Sequence, residues 1–147
     1  MSTGAALAQI FVFAVILGML AAMAWLPARV DVEIVAETLA VRPRGLDELW
    51  CLRSRIDIPL PDVAMIRAVP RPQAPQPRLR LPGAHVPGMI TAGSYGTGTE
   101  RTFYDVRRAE RVLLISCRLG AEYKALVLEV SDPDVAAAIL NATLATR

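Results

Sequence analysis

The sequence is poor in the residues that most often carry chemistry. Its 147 residues include one histidine, His85, two cysteines and one lysine, Lys124. One histidine and two cysteines, with no C-x-x-C pair, cannot complete a zinc site of the usual ligand set. No Ser–His–Asp or Cys–His arrangement can be assembled around His85. We therefore expect no catalytic residue, no cofactor and no metal.

Charge of either sign is absent from the first 28 residues. All 16 basic and 14 acidic residues follow, and they leave a formal net charge of +2. This balance gives no general attraction to nucleic acid, so we expect no nucleic-acid partner. The carboxylates Asp105, Glu110 and Glu129 are isolated in the sequence, and we expect them to be solvated on the surface.

The long apolar run is Leu7 to Leu26, twenty residues with Gln9 as the one strongly polar side chain. A helix of this length is about 30 Å long, which matches the hydrocarbon core of a bilayer. Residues 1–27 are therefore predicted to be a transmembrane anchor, with Trp25 where an interfacial aromatic residue belongs. Its candidate lipid-facing or packing residues are Phe11, Phe13, Gly18 and Trp25.

Two other interpretations of this run stay open. A cleaved signal sequence is favoured by the small-x-small triplet Ala22-Met23-Ala24, but the first six residues carry no basic charge and the run exceeds a typical signal core. A buried helix of a soluble domain would need a larger protein around it. Arg29, Arg42 and Arg44 follow the run, so the positive-inside rule places the rest of the chain in the cytoplasm.

Residues 28–147 are long enough for one domain with its own core. Apolar alternation predicts strands over 29–36, the second half of 49–58, 63–69, 101–107, 111–119 and 123–130. The strand 111–119 is expected to be central, with 123–130 as its hairpin partner. Residues 37–41 are interpreted as a continuation of the first strand.

A helix is predicted over 133–145. Asp132 is its expected N-cap residue and Pro133 its first residue, since proline is tolerated where the backbone N–H has no helical partner. Its apolar stripe is predicted to consist of Val135, Ile139, Leu140 and Leu144.

The segment 70–98 is rich in proline and glycine. Six prolines lie between Pro70 and Pro87, and they predict extended chain rather than helix or strand. It is either a long surface connection or an arm that lies on a partner or on anionic lipid head groups. The candidate contact residues are Arg67, Arg71, Arg78, Arg80 and Tyr95. The glycines of 83–98 do not form a phosphate-binding motif, because no lysine follows them in the required place.

Cys51 and Cys117 lie 66 residues apart, each in an apolar run. Two buried free thiols are the favoured interpretation. A disulfide between them is the alternative, and it would indicate an external domain.

Several strands followed by one amphipathic helix predict a mainly β domain, a small sandwich or barrel, capped by a C-terminal helix. Within it, Ile56 to Val63 (IDIPLPDV), Leu81 to Tyr95, Phe103 to Val106 (FYDV), Val112 to Ser116 (VLLIS) and Val130 to Ile139 (VSDPDVAAAI) carry a resemblance. They resemble the bacterial pleckstrin-homology-like (PH-like) domains that follow an N-terminal membrane helix. The resemblance implies a PH-like fold and a bacterial inner-membrane location, and it implies no enzyme activity.

Two functions are compatible with these features. The first is a non-catalytic, single-pass membrane protein that acts as an accessory subunit of a larger membrane complex for transport, respiration or photosynthesis. Its partners would be the bilayer and other membrane-protein subunits. The second is a membrane-anchored module that binds lipid or a small ligand.

Overall fold

The computed structural model describes residues 3–25, 30–45, 51, 54–77, 80–86 and 90–146. Its first element is the helix α1, Thr3–Trp25, which covers most of the apolar run. At 1.5 Å per residue this helix is about 35 Å long. The prediction of one long N-terminal helix is confirmed.

The domain begins with a three-stranded antiparallel sheet in the order β1-β2-β3. The strands are β1 (Val30–Val35), β2 (Thr38–Pro43) and β3 (Ile56–Pro59). The interpretation of 37–41 as a continuation of β1 is wrong, because the chain reverses at Ala36 and Glu37 and Val35 pairs with Thr38. Ala36 has a φ of +52°, which is the left-handed conformation that such two-residue turns require.

The second sheet has six strands in the order β4-β8-β9-β7-β6-β5. They are β4 (Val63–Pro70), β5 (Arg80–Val86), β6 (Ile90–Tyr95), β7 (Thr102–Val106), β8 (Arg111–Cys117) and β9 (Ala125–Leu128). The central position of β8 and its antiparallel pairing with β9 are both confirmed. The parallel pairing of β7 with β9 was not predicted. In a simple up-and-down sheet, consecutive strands are neighbours and β8 would pair with β7. Here β9 lies between them.

The prediction that Pro70 to Pro87 contains no strand is wrong, since β5 lies inside this range. The strand tolerates Pro82 for two reasons. It is an edge strand, and its register with β6 shifts between Arg80 and Gly83, where the proline falls. The earlier part of the range is a single 3₁₀ turn, Arg71–Gln73, followed by extended chain.

The main core lies between the two sheets. Leu39, Val41 and Ile56 from the first sheet pack in one cluster with Phe103 and Leu113 from the second. Alternate residues of the second sheet form another cluster on its opposite face, which includes Tyr95, Tyr104, Val112, Leu114 and Val127. The middle strands β7, β8 and β9 are therefore largely apolar on both faces, as strands covered on both sides require.

The last element is α2, Pro133–Ala145, and its limits match the predicted helix. The Oδ1 atom of Asp132 accepts a hydrogen bond of 3.0 Å from the backbone N–H of Val135, so the predicted cap is confirmed. The predicted stripe is half wrong. Leu140 is buried and Leu144 packs on the core, but Val135 and Ile139 are exposed.

Small side chains explain this rotation of the helix. Ala136 and Ala137 take the inner positions beside Leu140 and Leu144, because α2 lies close against β4 and β8. The larger Val135 and Ile139 consequently lie on the outer side.

Candidate functional site

The helix α1 has no buried residue between Gly4 and Ala22. Gly4–Ala22 has a mean hydropathy of 2.4 and no part of it is buried in the protein. The side chains of Phe11 and Phe13 are more than 60% exposed, and a Cβ atom placed on Gly18 would meet nothing within 4 Å. Trp25 is the last residue of the helix. Such a helix is long and apolar enough to cross a membrane, as an anchor or as a signal sequence.

The four arginines proposed as contact residues lie in different surroundings. Arg67 is exposed on the edge strand β4. The Nη1 atom of Arg71 donates a hydrogen bond of 2.9 Å to the carbonyl oxygen of Arg107, so this side chain supports the fold. Arg78 lies outside the described residues. Arg80 begins β5, where its backbone pairs with Tyr95.

The proline-rich segment 71–77 lies against the domain's own second sheet. The backbone N–H of Arg71 donates to the carbonyl oxygen of Glu110 at 2.7 Å, and Ala74 is buried. The hydroxyl of Tyr104 donates to the carbonyl oxygen of Pro75 at 2.8 Å. These contacts correspond to a surface connection for this part of the segment. Tyr95, proposed as a contact residue, is only 4% exposed beneath it.

Two of the three isolated carboxylates are buried, so the expectation that all are solvated is wrong. Asp105 lies in β7 on the side facing the core, and Glu129 is 7% exposed just after β9. The Oε2 atom of Glu129 accepts hydrogen bonds of 2.7, 2.9 and 3.0 Å from the backbone N–H groups of Arg107, Arg108 and Ala109. This carboxylate therefore holds the turn between β7 and β8, a role that nothing in the sequence indicates.

A cleft of about 300 Å³ opens beside the second sheet. Tyr95 and Tyr104 meet edge to face at its base, with 5.1 Å between ring centroids. At its rim the Nζ atom of Lys124 lies 2.6 Å from the Oε2 atom of Glu100. Burial, and then the neighbouring Tyr95, raise the pKa of Tyr104 to about 12, so its hydroxyl stays a donor at neutral pH.

The loop at the rim of this cleft depends on Gly96. Its φ is +88°, and a Cβ atom there would lie 2.6 Å from the carbonyl oxygen of Glu100. A larger residue at this position would have to displace the backbone that carries Glu100.

Three apolar side chains are exposed around the 3₁₀ turn Leu60–Asp62. Val35 and Met65 are each 45% exposed, and Leu119, at the turn between β8 and β9, is completely exposed. Two backbone hydrogen bonds hold these segments together at this turn: Leu60 N–H to Glu37 O at 3.0 Å and Arg118 N–H to Asp62 O at 2.7 Å. We call Val35, Met65 and Leu119 the distal patch. The name refers to Val35, which is the last residue of β1 and the one farthest along that strand from α1.

A groove of about 490 Å³ separates the beginning of β1 from the first half of α2. Val32, Val130, Val135 and Ile139 supply apolar lining. Nearby carboxylates are paired within the chain: Glu33 with Arg42 at 3.0 Å, and Asp134 with Arg111 at 2.6 Å. The hydrogen bonds that Arg111 donates to the carboxylate of Asp134 raise the pKa of Arg111, which stays charged. A partner in this groove would therefore meet apolar side chains beside charges that are already paired.

Both cysteines are free thiols. Cys51 is buried, as expected, and Cys117 is half-buried at the end of β8. Burial, and then the nearby Asp62, raise the pKa of Cys117 to about 11, so little of it is thiolate at neutral pH. His85 lies on β5, where its backbone pairs with Thr91. Within the described ranges, no three His, Cys, Asp or Glu residues come together as a metal site.

Comparison with models of protein families, with curated proteins and with solved structures finds no match. The chain can therefore be classified only by its own helices and strands. It has an apolar N-terminal helix followed by a mixed domain of two sheets with a C-terminal helix.

Proposed function

We propose that this chain is a non-catalytic, single-pass membrane protein whose domain docks on a larger membrane assembly as an accessory subunit. In this proposal α1 is an uncleaved anchor in a bacterial inner membrane, and the domain faces the cytoplasm. The assembly would serve transport, respiration or photosynthesis. The PH-like resemblance is part of the same proposal, since it implies a membrane-attached module without enzyme activity.

The distal patch is the observation that carries this proposal. Leu119 is completely exposed at the tip of a hairpin, and Val35 and Met65 are each 45% exposed on strands that adjoin the same 3₁₀ turn, so three apolar side chains face solvent in this part of the domain. Exposed apolar surface of this kind is typical of interaction sites. β1 starts five residues after the end of α1 and runs about 17 Å to Val35. Val35 therefore lies at the end of β1 opposite to the end that follows α1.

The test is co-purification of a tagged full chain from native membranes in mild detergent. The distal patch is altered by Leu119→Asp, which changes no packed side chain because Leu119 is fully exposed. Thr97→Asp, on an exposed loop beside the cleft, is the matched control. We expect a stoichiometric set of membrane proteins with the wild type and with the control, and its loss with Leu119→Asp. Recovery of the wild-type chain alone would contradict the proposal.

A small-ligand module is the second candidate, and the cleft beside Tyr95 and Tyr104 favours it. Its volume is at the lower end of the range for ligand pockets. Lys124 and Glu100 at the rim pair with each other at 2.6 Å, and a small zwitterionic molecule would bind by exchanging this ion pair for contacts with its own two charges. Native mass spectrometry of the full chain released from detergent would detect a bound molecule. Lys124→Ala should abolish that adduct, whereas Arg108→Ala, an exposed control, should keep it.

A further inference from the structure

The backbone edge of β1 forms one side of the groove described above. Four consecutive residues, Val30 to Glu33, line the groove, and the beginning of α2 forms its other side. Side chains of consecutive strand residues point to opposite faces of a sheet. A groove lined by four residues in a row therefore follows the edge of the strand rather than one of its faces.

The register of β1 with β2 identifies the backbone groups that face this groove. In an antiparallel pair, residues that exchange hydrogen bonds with the neighbouring strand alternate with residues whose N–H and C=O groups point away from it. Val35 and Thr38 close the two-residue turn as a bonded pair, and Pro43, which has no N–H, lies opposite a residue that bonds away from β2. The outward-bonding residues of β1 are therefore Val30, Val32 and Ile34.

These outward N–H and C=O groups are not used elsewhere in the residues that the structure describes. β1 is the first strand of its sheet and has β2 on one side only. No described loop or helix makes a backbone hydrogen bond to it. The outward groups recur every second residue, about 7 Å apart along the strand. Another extended backbone offers donors and acceptors at the same spacing, whereas a lipid or an ion does not, so the edge selects a polypeptide strand.

The other described edge strands carry features that oppose such pairing. β3 has four residues and ends in Pro59. β5 contains Pro82 and has a shifted register with β6. β4 has a register shift near its start, and the carbonyl oxygen of Ile66 accepts a hydrogen bond from Asn141 of α2. Short strands, prolines and irregular register commonly protect edges. β1 has six residues in regular register and none of these features.

We infer that the edge of β1 binds an extended segment of a partner protein, which joins the first sheet as a fourth, antiparallel strand. In this segment apolar residues alternate with basic residues. The antiparallel direction follows the other pairs of this sheet, and antiparallel pairing is slightly more stable per residue than parallel pairing. The inference goes beyond the proposed accessory role and does not depend on it, because the groove and the distal patch share no lining residue.

The far side of the groove explains why every second residue of the segment is apolar. The outward-bonding residues of β1 direct their side chains toward the main core. A residue placed directly opposite one of them directs its side chain to the same face. On that face Val135 and Ile139 of α2 line the groove, and they are 52% and 60% exposed. Apolar side chains of the added strand would cover these two residues.

The charges of the groove favour basic residues at the intervening positions. Among the described residues that line it, Asp31, Glu33 and Asp132 are acidic and none is basic. Arg44 and Arg42 on β2 pair with the first two of these carboxylates from the side away from the groove. A basic residue of the segment would approach the same carboxylates from the groove side. Because these charges are already paired, it would contribute more to specificity than to affinity.

A second copy of this chain fits the edge of β1 poorly. In a two-fold antiparallel pair of β1 strands centred on Val32, Asp31 of one copy would lie directly opposite Glu33 of the other. A pair centred one residue later would place the two Glu33 carboxylates opposite each other. Like charges directly opposite destabilise an antiparallel pair. Charge therefore favours a segment of a different protein.

The test uses the full chain in phosphatidylcholine nanodiscs and a fluorescent peptide, acetyl-TVKVKVT-amide, as the probe. We expect saturable binding by fluorescence anisotropy, and none to empty nanodiscs. N-methylation of two valine amides, which face β1 in the antiparallel arrangement, should weaken binding at least about tenfold. N-methylation of the two lysine amides, which face away, is the matched control and should weaken it less than about twofold. Equal losses, a larger loss with the lysine amides, or no saturable binding below about 1 mM would overturn the inference.

A second peptide tests the expected charge pattern. In acetyl-TVEVEVT-amide the lysines are replaced by glutamates and the valines are kept. We expect it to bind at least about threefold more weakly than the lysine peptide, and this difference should shrink in high salt. Equal or tighter binding of the glutamate peptide would contradict the basic alternation.

A variant of the chain tests the same contact from the other side. Val32→Pro removes the central outward N–H but no hydrogen bond to β2, so a proline at this edge position is compatible with the hairpin. We expect it to weaken binding of the lysine peptide at least about tenfold. Val32→Ala loses the side chain but keeps the N–H, and as the matched control it should lose less than about threefold. Equal losses would mean that the side chain, and not the backbone edge, is the contact.

Amide hydrogen exchange of the wild-type chain provides a measurement that needs no substitution. In the free chain the N–H groups of Val32 and Ile34 should exchange rapidly, whereas those of Glu33 and Val35 are protected by β2. Saturation with the lysine peptide should slow exchange at Val32 and Ile34 at least about tenfold. Outward groups that are already protected in the free chain would show that the edge is covered by the chain itself, by a second copy or by lipid. That result, or exchange unchanged by the bound peptide, would overturn the inference.

Discussion

The two long helices that the structure describes, α1 and α2, are both almost free of charge, yet their surroundings differ. α1 has 23 residues, and no residue of its apolar stretch Gly4–Ala22 is buried in the protein. α2 has 13 residues and packs one side on β4 and β8. Apolar composition alone therefore does not define the surroundings of a helix. Length and the position of its neighbours decide which sides are covered and by what.

The ends of the two helices differ in the same way. α2 begins with an aspartate N-cap and a proline in its first turn. These two residues fix the position at which the helix starts. α1 has no acidic residue in its first turn and no basic residue in its last turn. In a bilayer the helix is stabilised because its backbone groups have no other partners, so caps matter less. The start of α2 is therefore fixed by contacts within the protein, whereas α1 would be stabilised by the bilayer around it.

The largest expected effect is on α1. Replacing both Ala14 and Leu17 with arginine should release the chain from membranes, because each central arginine costs about 3 kcal/mol in insertion free energy. The fraction that resists alkaline carbonate extraction measures this effect. Leu17→Ile is the matched control and should remain in the membrane pellet.

This experiment also separates the two interpretations of α1. N-terminal sequencing of the mature wild-type chain should find the residues of α1 still attached. A mature chain that begins after Ala24 would show that α1 is a cleaved signal sequence. The mature protein would then lack α1, and the comparison of α1 with α2 would no longer apply to it.

The next effect separates the two sides of α2. Leu140→Ala leaves a cavity in the core between the helix and the sheets, and we expect it to lower the free energy of unfolding by about 2–5 kcal/mol. Ile139→Ala, one residue earlier on the exposed side, should lower it by less than about 1 kcal/mol. Urea titration of the detergent-solubilised chain, followed by circular dichroism, measures both. Equal losses would mean that the two sides of α2 are not distinguished by packing.

Elements with a strong local pattern could be predicted from the sequence. The apolar run gave α1, the Asp132-Pro133 pair gave the start of α2, and the continuous apolar run of β8 gave a central strand. In each case the deciding interactions lie within a few neighbouring residues. The same is true of the turn before β9, which produced the predicted hairpin.

Features that depend on distant neighbours could not be predicted. The pairing of β7 with β9 follows from the second sheet as a whole, and β5 exists only because β6 offers it an edge. The rotation of α2 was missed because alanines fit closer to the sheet than the larger residues of the expected stripe. The buried role of Glu129 depends on three backbone N–H groups twenty or more residues away. The candidate surfaces could not be predicted for the same reason. The exposure of Leu119, for example, depends on the folded hairpin between β8 and β9.

A smaller effect is expected at the start of α2. Asp132→Ala removes the acceptor for the Val135 N–H group, and the free energy of unfolding should fall by about 1 kcal/mol. Asp132→Asn keeps an acceptor oxygen at the same place and should lose only a few tenths of that amount. Urea titration again provides the measurement. An alanine variant as stable as the wild type would show that packing on the sheets alone fixes where α2 begins.

The smallest effect concerns the hydrogen bond that joins α2 to the edge of the second sheet. The Nδ2 atom of Asn141 donates to the carbonyl oxygen of Ile66 at 2.9 Å. Asn141→Ala should lower the free energy of unfolding by about 0.5–1.5 kcal/mol. Asn141→Asp should cost more at neutral pH, because an ionised carboxylate would face a carbonyl oxygen. As the pH falls through the carboxyl pKa of about 4, the protonated group becomes a donor and the difference between the Asp and Asn variants should shrink. A difference independent of pH would mean that this contact does not hold α2 on β4.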